Sequence, residues 1–391
     1  MSIITKPNEL LNLCAEIDAG KRFAVDLEFI PERTYHPELC LVQVATDHNA
    51  YIVDPLALTE LTPLWQRIAD PNIRVVFHAG DQDLDLIFRA SGLLPQNIID
   101  TQIAAGFIGF GYPIGYGKLL QSLLGINLSK TESHTDWLIR PLSEAQIAYA
   151  LDDVRHLMPM YDQMEQKLNE VQRTSWVEEE CKRYCTIDYY EENREHKYLR
   201  IKGASTLSRR GLACLQKMYA WRDALAYKNN RPARTILSDS IILELSRRPP
   251  KNAQEMQRVR SVRPDQIAKY GAEIMKVVEE AQALSNDELP VWPASMGPPK
   301  KEVLQADMLY AILKVLCYEG DLAPELVATR DELQALIRVY REGTVSSSHL
   351  PLLHGWRRKL AGDPMLSLLE GSPVAVSLSG GSSPVKLDFT K

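Results

Sequence analysis

Asp26 and Glu28 stand two apart in the apolar run at residues 23–30. On a strand, that spacing turns both carboxylates to one face and Val25 and Leu27 to the other. Two charges side by side on a sheet face are tolerable where a cation compensates them, and oxygen ligands of this kind suit Mg²⁺ or Mn²⁺. A solvent-facing edge strand would also carry such a pair. A second acidic group, Asp81, Asp83 and Asp85, follows His78-Ala79-Gly80 where a strand gives way to a helix, and a helix dipole favours negative charge there. Ordinary first-turn acids with Asp81 as N-cap are the alternative, and spacing does not choose among the three. A third pair, Tyr149 and Asp153, lies four apart and puts a phenol and a carboxylate on one helix face. Asp152 is nearly as close in angle, so the choice of acid stays open, and a surface hydrogen bond would explain the pair equally well.

These groups need a scaffold. Residues 23–30, 39–45 and 50–53 are β-rich runs interrupted by Pro31, Pro37 and Asn49, which predicts a three-strand antiparallel meander. Alternation follows, with helices expected at 61–68, 82–90 and 102–107 and strands at 73–78 and 97–101. The order indicates an α/β domain in which helices cover a mixed sheet. From Ser143, the expected N-cap, apolar residues from Ile147 to Met158 recur at helical spacing and predict one long helix running towards Val171.

The 391 residues suggest two or three domains. Residues 1–175 form the first, 176–205 read as a charged connector, and 206–285 read as a helical bundle broken at Pro232, Pro249-Pro250 and Pro264. A Pro-rich linker at 286–303 leads to a second helical bundle at 304–370, and the Gly/Ser/Pro-rich tail at 371–391 is expected to be disordered.

At 45% hydrophobic and 25% charged residues the chain has globular composition, which excludes wholesale disorder. No stretch approaches the roughly 18 consecutive apolar residues of a membrane span. Glu9, Glu16 and Asp18 interrupt the run that a signal peptide would need, so a cytoplasmic location is expected. Six scattered cysteines without a CxxC pair read as free thiols, and Cys181 and Cys185, lacking a nearby histidine, do not suggest a structural metal. The net charge of −6 hides a segregation. Residues 1–175 hold 13 Lys and Arg against 23 Asp and Glu, whereas residues 206–285 hold 15 against 8. Metal-binding acids in one domain and phosphate contacts in another would produce that division, as would two solvated surfaces of different composition.

The three acidic fragments, in this order on this succession of elements, resemble the DEDD family of 3′-to-5′ exonucleases, in the subgroup whose last motif is Tyr-x-x-x-Asp. Neighbouring wording narrows the resemblance to the ribonuclease D family: Arg33-Thr34-Tyr35, Leu41-Val42-Gln43, His78-Ala79-Gly80, Asp100-Thr101-Gln102 and residues 130–137, Lys-Thr-Glu-Ser-His-Thr-Asp-Trp. The resemblance implies a ribonuclease H-like mixed-sheet exonuclease domain followed by two all-α HRDC-like bundles. It selects Asp26, Glu28, Asp83 and Asp153 as carboxylates for two divalent cations, Mg²⁺ or Mn²⁺, and implies that Tyr149 holds the attacking water. It further implies an RNA substrate with a free 3′ end, tRNA precursors being the class expected, and nucleoside 5′-monophosphates as products. A single-stranded DNA exonuclease and a non-catalytic nucleic-acid-binding protein are the alternatives.

Other candidates surround this set. Lys130 could contact phosphate. His78 reads as a satisfied structural group, Phe29 as core packing and Asp100 as support. In the first bundle Arg247, Arg248, Lys251, Arg258, Arg260 and Arg263 form a candidate phosphate-contact patch, against the plain alternative of ordinary surface charge.

Overall fold

The computed structural model describes residues 2–128, 135–195, 197–259, 262–291, 299–378 and 385–389. Its first part contains β1 (Ser2–Ile4), α1 (Pro7–Gly20), β2 (Arg22–Ile30), β3 (Glu38–Ala45), β4 (Ala50–Val53), α2 (Thr62–Ile68) and β5 (Arg74–Phe77). There follow α3 (Asp81–Ser91), β6 (Ile98–Asp100), α4 (Thr101–Gly106), α5 (Tyr116–Leu124), α6 (Glu144–Arg155), α7 (Leu157–Glu170), α8 (Thr174–Cys181) and α9 (Ile187–Glu195). The strands form one sheet in the order β1-β4-β3-β2-β5-β6. Strands β2, β3 and β4 make the expected antiparallel meander, while β5 and β6 add to β2 in parallel, so the sheet is mixed.

Register places Asp26 opposite Gln43 and Glu28 opposite Leu41, with a bulge between Glu28 and Phe29. Val25, Leu27, Val42 and Val44 enter the main core beneath α1 and α7. Leu41 and Ile52, on the other face, pack against Ala150 and Leu151 of α6. Phe29 packs against the main core, as expected.

The sequence reading passed over α1, although Leu10, Leu13, Cys14 and Ile17 form its buried stripe. It also passed over β1 and α5. The single helix expected from Ser143 is two: α6 ends at Arg155, and α7 starts after His156. Pro159 explains the break, since it cannot donate to the carbonyl of Arg155 and its ring crowds that turn. Ser143 does cap α6, its hydroxyl accepting from Gln146 N at 3.1 Å.

The supposed connector at 176–205 is not a loose linker. Val177, Cys181, Tyr184 and Tyr190 belong to the main core, and Tyr198, Ile201 and Ala204 to the next one. Its charged residues are interleaved with large apolar ones that pay for order by burial.

The first bundle comprises α10 (Arg209–Lys228), α11 (Ala233–Ile236), α12 (Asp239–Arg247), α13 (Ala253–Gln257) and α14 (Pro264–Ala283), around a core of its own. It docks on the β2–β3 loop. Tyr35 donates its hydroxyl to Asp223 at 2.8 Å, and its ring meets that of Tyr227 edge-on at 5.5 Å. The last part holds α15 (Lys300–Glu319), α16 (Pro324–Val327), α17 (Arg330–Arg341), α18 (Gly355–Arg357), α19 (Asp363–Leu369), β7 (Val374–Leu378) and β8 (Val385–Phe389). Its buried side chains, from Ala306 to Met365, are continuous with the nuclease core. Gly106 permits that approach, because a Cβ there would sit 2.5 Å from Leu326 Cδ1. The tail expected to be disordered carries an antiparallel hairpin, β7 with β8, whose Val374 and Leu387 pack against the core. Among the described residues no helix is long and apolar enough to cross a membrane, and the six cysteines are free.

Candidate active site

Strand β2 delivers Asp26 and Glu28 to the sheet face under α6, and the side chain of Asp153 comes down from that helix. Carboxylate oxygens of Asp26, Glu28 and Asp153 lie within 4.8 Å of one another. Asp83, buried near the start of α3, adds its charge to the same place and is among the groups that raise Asp26 and Glu28. Tyr149 lies beside Asp153, each acting on the other's pKa, and against Trp137, with ring centroids 5.9 Å apart. Of the residues selected by the resemblance, Asp26, Glu28 and Asp153 cluster, with Tyr149 beside Asp153 and the Asp83 charge close enough to act on Asp26 and Glu28.

The alternatives that spacing left open are separated by partners. Asp152 turns away to Arg155 at 3.1 Å. Asp85 pairs with Arg89 at 2.6 Å, and Asp81 with Arg183 at 3.5 Å. Asp81 is not the N-cap of α3, a position held by Gly80. Among the described residues no lysine, arginine or histidine is within ion-pair distance of Asp26, Glu28, Asp83 or Asp153.

Crowded, buried or half-buried, and without a cationic partner among the described residues, the four acids bind protons more tightly than ordinary carboxyls do. Burial, then the charges of Asp83, Asp153 and Glu28, raises Asp26 well above the usual carboxylate range. Burial and the charges of Asp153 and Asp83 push Glu28 up to about 8. Burial pushes Asp83 up to about 7, the Asp100 charge adding to it and nearby backbone N–H groups opposing. Asp153 also rises to about 7, through burial and the neighbouring Asp152. Burial and the same acids raise the phenol of Tyr149, so it stays a hydrogen-bond donor at neutral pH.

Four oxygen donors without a cation among the described residues fit one or two hard divalent ions. Another observation agrees with that fit. Gln43, directly across the ladder from Asp26 and 0% exposed, has a side-chain amide with no hydrogen-bond partner among the described residues. A buried, unmatched amide is costly in an ordinary core and less anomalous in the floor of an ion site. An isolated glutamine in the apolar run Leu-Cys-Leu-Val-Gln-Val-Ala is a signal that the sequence did offer. Tyr116 was missed as well. Its hydroxyl donates to the carbonyl of Asp152 at 3.2 Å, and burial, with Asp153 and Asp26 nearby, raises its pKa. No periodicity or motif among its neighbours marks it.

His78 is structural, as expected. Its Nδ1 is hydrogen-bonded to the Thr101 hydroxyl at 2.9 Å, and its Nε2 donates to the Ile114 carbonyl at 3.1 Å. Asp100 accepts from Ala79 N at 2.9 Å, Gly80 N at 3.2 Å and Gln102 N at 2.8 Å, which fixes the turn into α3. The described candidate phosphate contacts, unlike the four acids, lie among groups of opposite charge. Lys130 and Arg260 lie outside the described residues. Arg247 reaches Glu244 at 3.1 Å, and Arg263 reaches Asp265 at 3.3 Å. Arg248 and Arg258 line one cavity together with Glu244 and Glu255. The Lys251 backbone N–H donates to Glu255 at 2.9 Å.

Comparison with known proteins accords with this geometry. Residues 1–169 match the family model described as 3′-5′ exonuclease, and residues 211–278 the one described as HRDC domain. Ribonuclease D of Gluconacetobacter diazotrophicus is 35% identical over 371 residues, 94% of this chain and 93% of that protein. Ribonuclease D of Zymomonas mobilis is 33% identical over 393 residues, 98% of each chain. The crystal structure of Escherichia coli RNase D, described as an exoribonuclease involved in structured RNA processing, is similar at a TM-score of 0.83. That match has 28% identity and covers 95% of this chain and 99% of the other. A mixed-sheet nuclease fold, an HRDC bundle and near-complete coverage of these relatives place the chain in the ribonuclease D family, as a 3′-to-5′ exoribonuclease.

Proposed function

We propose that Asp26, Glu28, Asp83 and Asp153 would hold two divalent cations, Mg²⁺ or Mn²⁺, with Asp26 serving both. Glu28 and Asp153 would serve the ion that supplies the activated water, and Asp83 would support the other. The observation that carries this reading is the convergence of three carboxylates within 4.8 Å, with no cationic side chain within ion-pair distance of them among the described residues. Such ions, when bound, offset the negative charge that gathers on the phosphoryl oxygens and the leaving 3′ oxygen during in-line attack.

The chain's own groups do the positioning. Tyr149, protonated at neutral pH, is a poor base and a good donor, so its role is to orient the attacking water against the terminal phosphorus. The water oxygen bonds to phosphorus as the bond to the 3′ oxygen breaks. The shortened RNA keeps a 3′ hydroxyl, and the released nucleotide keeps its 5′ phosphate. The HRDC bundle, docked through Tyr35 beside the acid-bearing strand, supplies contacts upstream on the RNA. Arg248 and Arg258 at their shared cavity are the side chains best placed for phosphate.

The substrate class that the resemblance to ribonuclease D implies is the 3′ end of structured precursors, tRNA precursors above all, and the Escherichia coli relative is described as acting in structured RNA processing. Six free cysteines suit a reducing compartment, hence the cytoplasm. Precursor tRNAs labelled at the 5′ or the 3′ end, beside matched RNA and DNA oligomers, test the reading in Mg²⁺, Mn²⁺ or EDTA. The expected result is metal-dependent release of nucleoside 5′-monophosphates from RNA, with shortening that stops near the mature tRNA end. Equal rates on DNA, or degradation through the tRNA body, would contradict the substrate assignment.

A further inference from the structure

Residues 181–190 lie beyond the stretch that matches the 3′-5′ exonuclease model, which ends at residue 169. They nevertheless grip the helix that carries Asp83, at Asp81 and Phe88, and the Asp100 carboxylate that holds the turn before it. Tyr184, fully buried, donates its hydroxyl to the Asp100 carboxylate at 3.3 Å, and Arg183 donates to that same hydroxyl at 2.9 Å. Arg183 also reaches Asp81 at 3.5 Å, and the Tyr189 hydroxyl donates to Asp81. Tyr190 stacks on Phe88 of α3, with centroids 4.4 Å apart and planes 20° from parallel.

Asp100 is the link to the site. Only 2% exposed, it gathers the N–H groups of Ala79 and Gly80. Ala79 sits at φ 59°, a left-handed conformation that a residue with a Cβ holds only when its surroundings over-determine it. Gly80 is pressed so closely on Phe77 that a Cβ would come within 2.8 Å of it. Three residues after Gly80 comes Asp83. The direction of its carboxylate therefore depends on a turn held by Asp100, and one of the donors that hold Asp100 comes from beyond the stretch that matches the exonuclease model.

We propose that residues 181–190 form a working part of the active site, with Tyr184 as a positioning residue that sets Asp83 for its ion through Asp100. This rests on the reading that Asp83 supports one of two divalent ions. Groups that orient a ligand from behind alter metal affinity by about 10- to 100-fold when removed. A core tyrosine with a purely structural role would instead change folding stability and leave the bound ions alone.

The test is Mn²⁺ binding to the full-length protein, measured by titration calorimetry without RNA, in the wild type, Tyr184→Phe, Tyr189→Phe and Asp83→Asn. The phenylalanine keeps the ring of residue 184 and removes only the donor. Tyr184→Phe should bind one of the two Mn²⁺ ions about tenfold more weakly and the other as before, with its hydrolysis rate recovering at high Mn²⁺. Tyr189→Phe, which removes one of the two groups that hold Asp81 without opening the core, should weaken the same ion by a smaller factor and decides the matter should Tyr184→Phe not fold. Wild-type affinity for both ions in the tyrosine variants, with one ion lost in Asp83→Asn, would overturn the positioning role alone. Wild-type affinity for both ions in Asp83→Asn would overturn the underlying reading of Asp83, and the positioning role with it.

Discussion

Asp152 and Asp153 are chain neighbours with opposite surroundings. One is balanced by Arg155 at 3.1 Å, and the other is turned into a cluster of acids and raised to about 7. Spacing could not tell them apart; the partner can. The same contrast separates Asp83 from Asp81 and Asp85, so the resemblance to the exonuclease family carried information that periodicity lacked. Raised carboxyls fix a sign. Each of these groups has a folded pKa above its ordinary value, so the folded state binds protons more tightly than the unfolded chain does. The stability this confers on the metal-free protein at low pH is lost as pH rises through the folded values of about 7 and 8. Thermal melts in EDTA should therefore fall from about pH 5 to about pH 8, and Mn²⁺ should flatten the slope while binding more tightly as pH rises. A melting temperature in EDTA that climbs over that range would refute the assignment of uncompensated acids. Tyr149→Phe removes a donor and leaves the acids in place. Single-turnover hydrolysis at saturating metal should slow on the order of 100-fold without stopping, and a full rate would exclude the water-orienting role.

At the scale of elements, the meander and the strand and helix alternation were legible because β-branched runs bounded by proline and asparagine have few other solutions. The end of α6 was misread because apolar spacing continues through Leu157 and Met158, and only Pro159 marks the break. Residues 176–205 were misread for a related reason. Their charges dominate the composition, while Val177, Cys181, Tyr184 and Tyr190 carry the packing. The turn into α3 shows how local geometry serves the site. Gly80→Ala would drive a methyl into Phe77, where an ideal Cβ lies 2.8 Å away. Overpacking of this kind costs about 1–3 kcal/mol, so the urea midpoint should fall accordingly. An unchanged midpoint would mean that the turn is not tightly held.

For the whole molecule, the unexpected feature is one core shared by the nuclease sheet and the last helices. Trp356 stacks on Trp176 at 5.0 Å and meets Phe107 at 5.0 Å, while its Nε1 donates to Glu180 at 2.9 Å. Arg357 grips both oxygens of the same carboxylate, and the pair is largely removed from solvent. Glu180→Ala would strand that guanidinium, and losing one partner of a buried pair costs about 3–5 kcal/mol. Chemical denaturation should show the nuclease sheet and the last helices unfolding in one transition shifted by that amount, apart from any transition of the first bundle with its own core. A wild-type transition in which the last helices unfold separately from the sheet would mean that they fold as an independent unit. Such long-range packing leaves little trace in sequence, since Trp176 and Trp356 are distant in the chain and each reads locally as an ordinary apolar residue.

The most direct test of the account is the trimming of a 5′-labelled RNA by the wild type and by Asp26→Asn, with Mg²⁺ and with EDTA. The wild type with Mg²⁺ should shorten the RNA from its 3′ end one nucleotide at a time. EDTA should stop it, and Asp26→Asn should lose at least about 1,000-fold in rate while retaining its fold and RNA affinity. Shortening that persists in EDTA, or an Asp26→Asn variant that trims at the wild-type rate, would contradict a metal site built on these carboxylates.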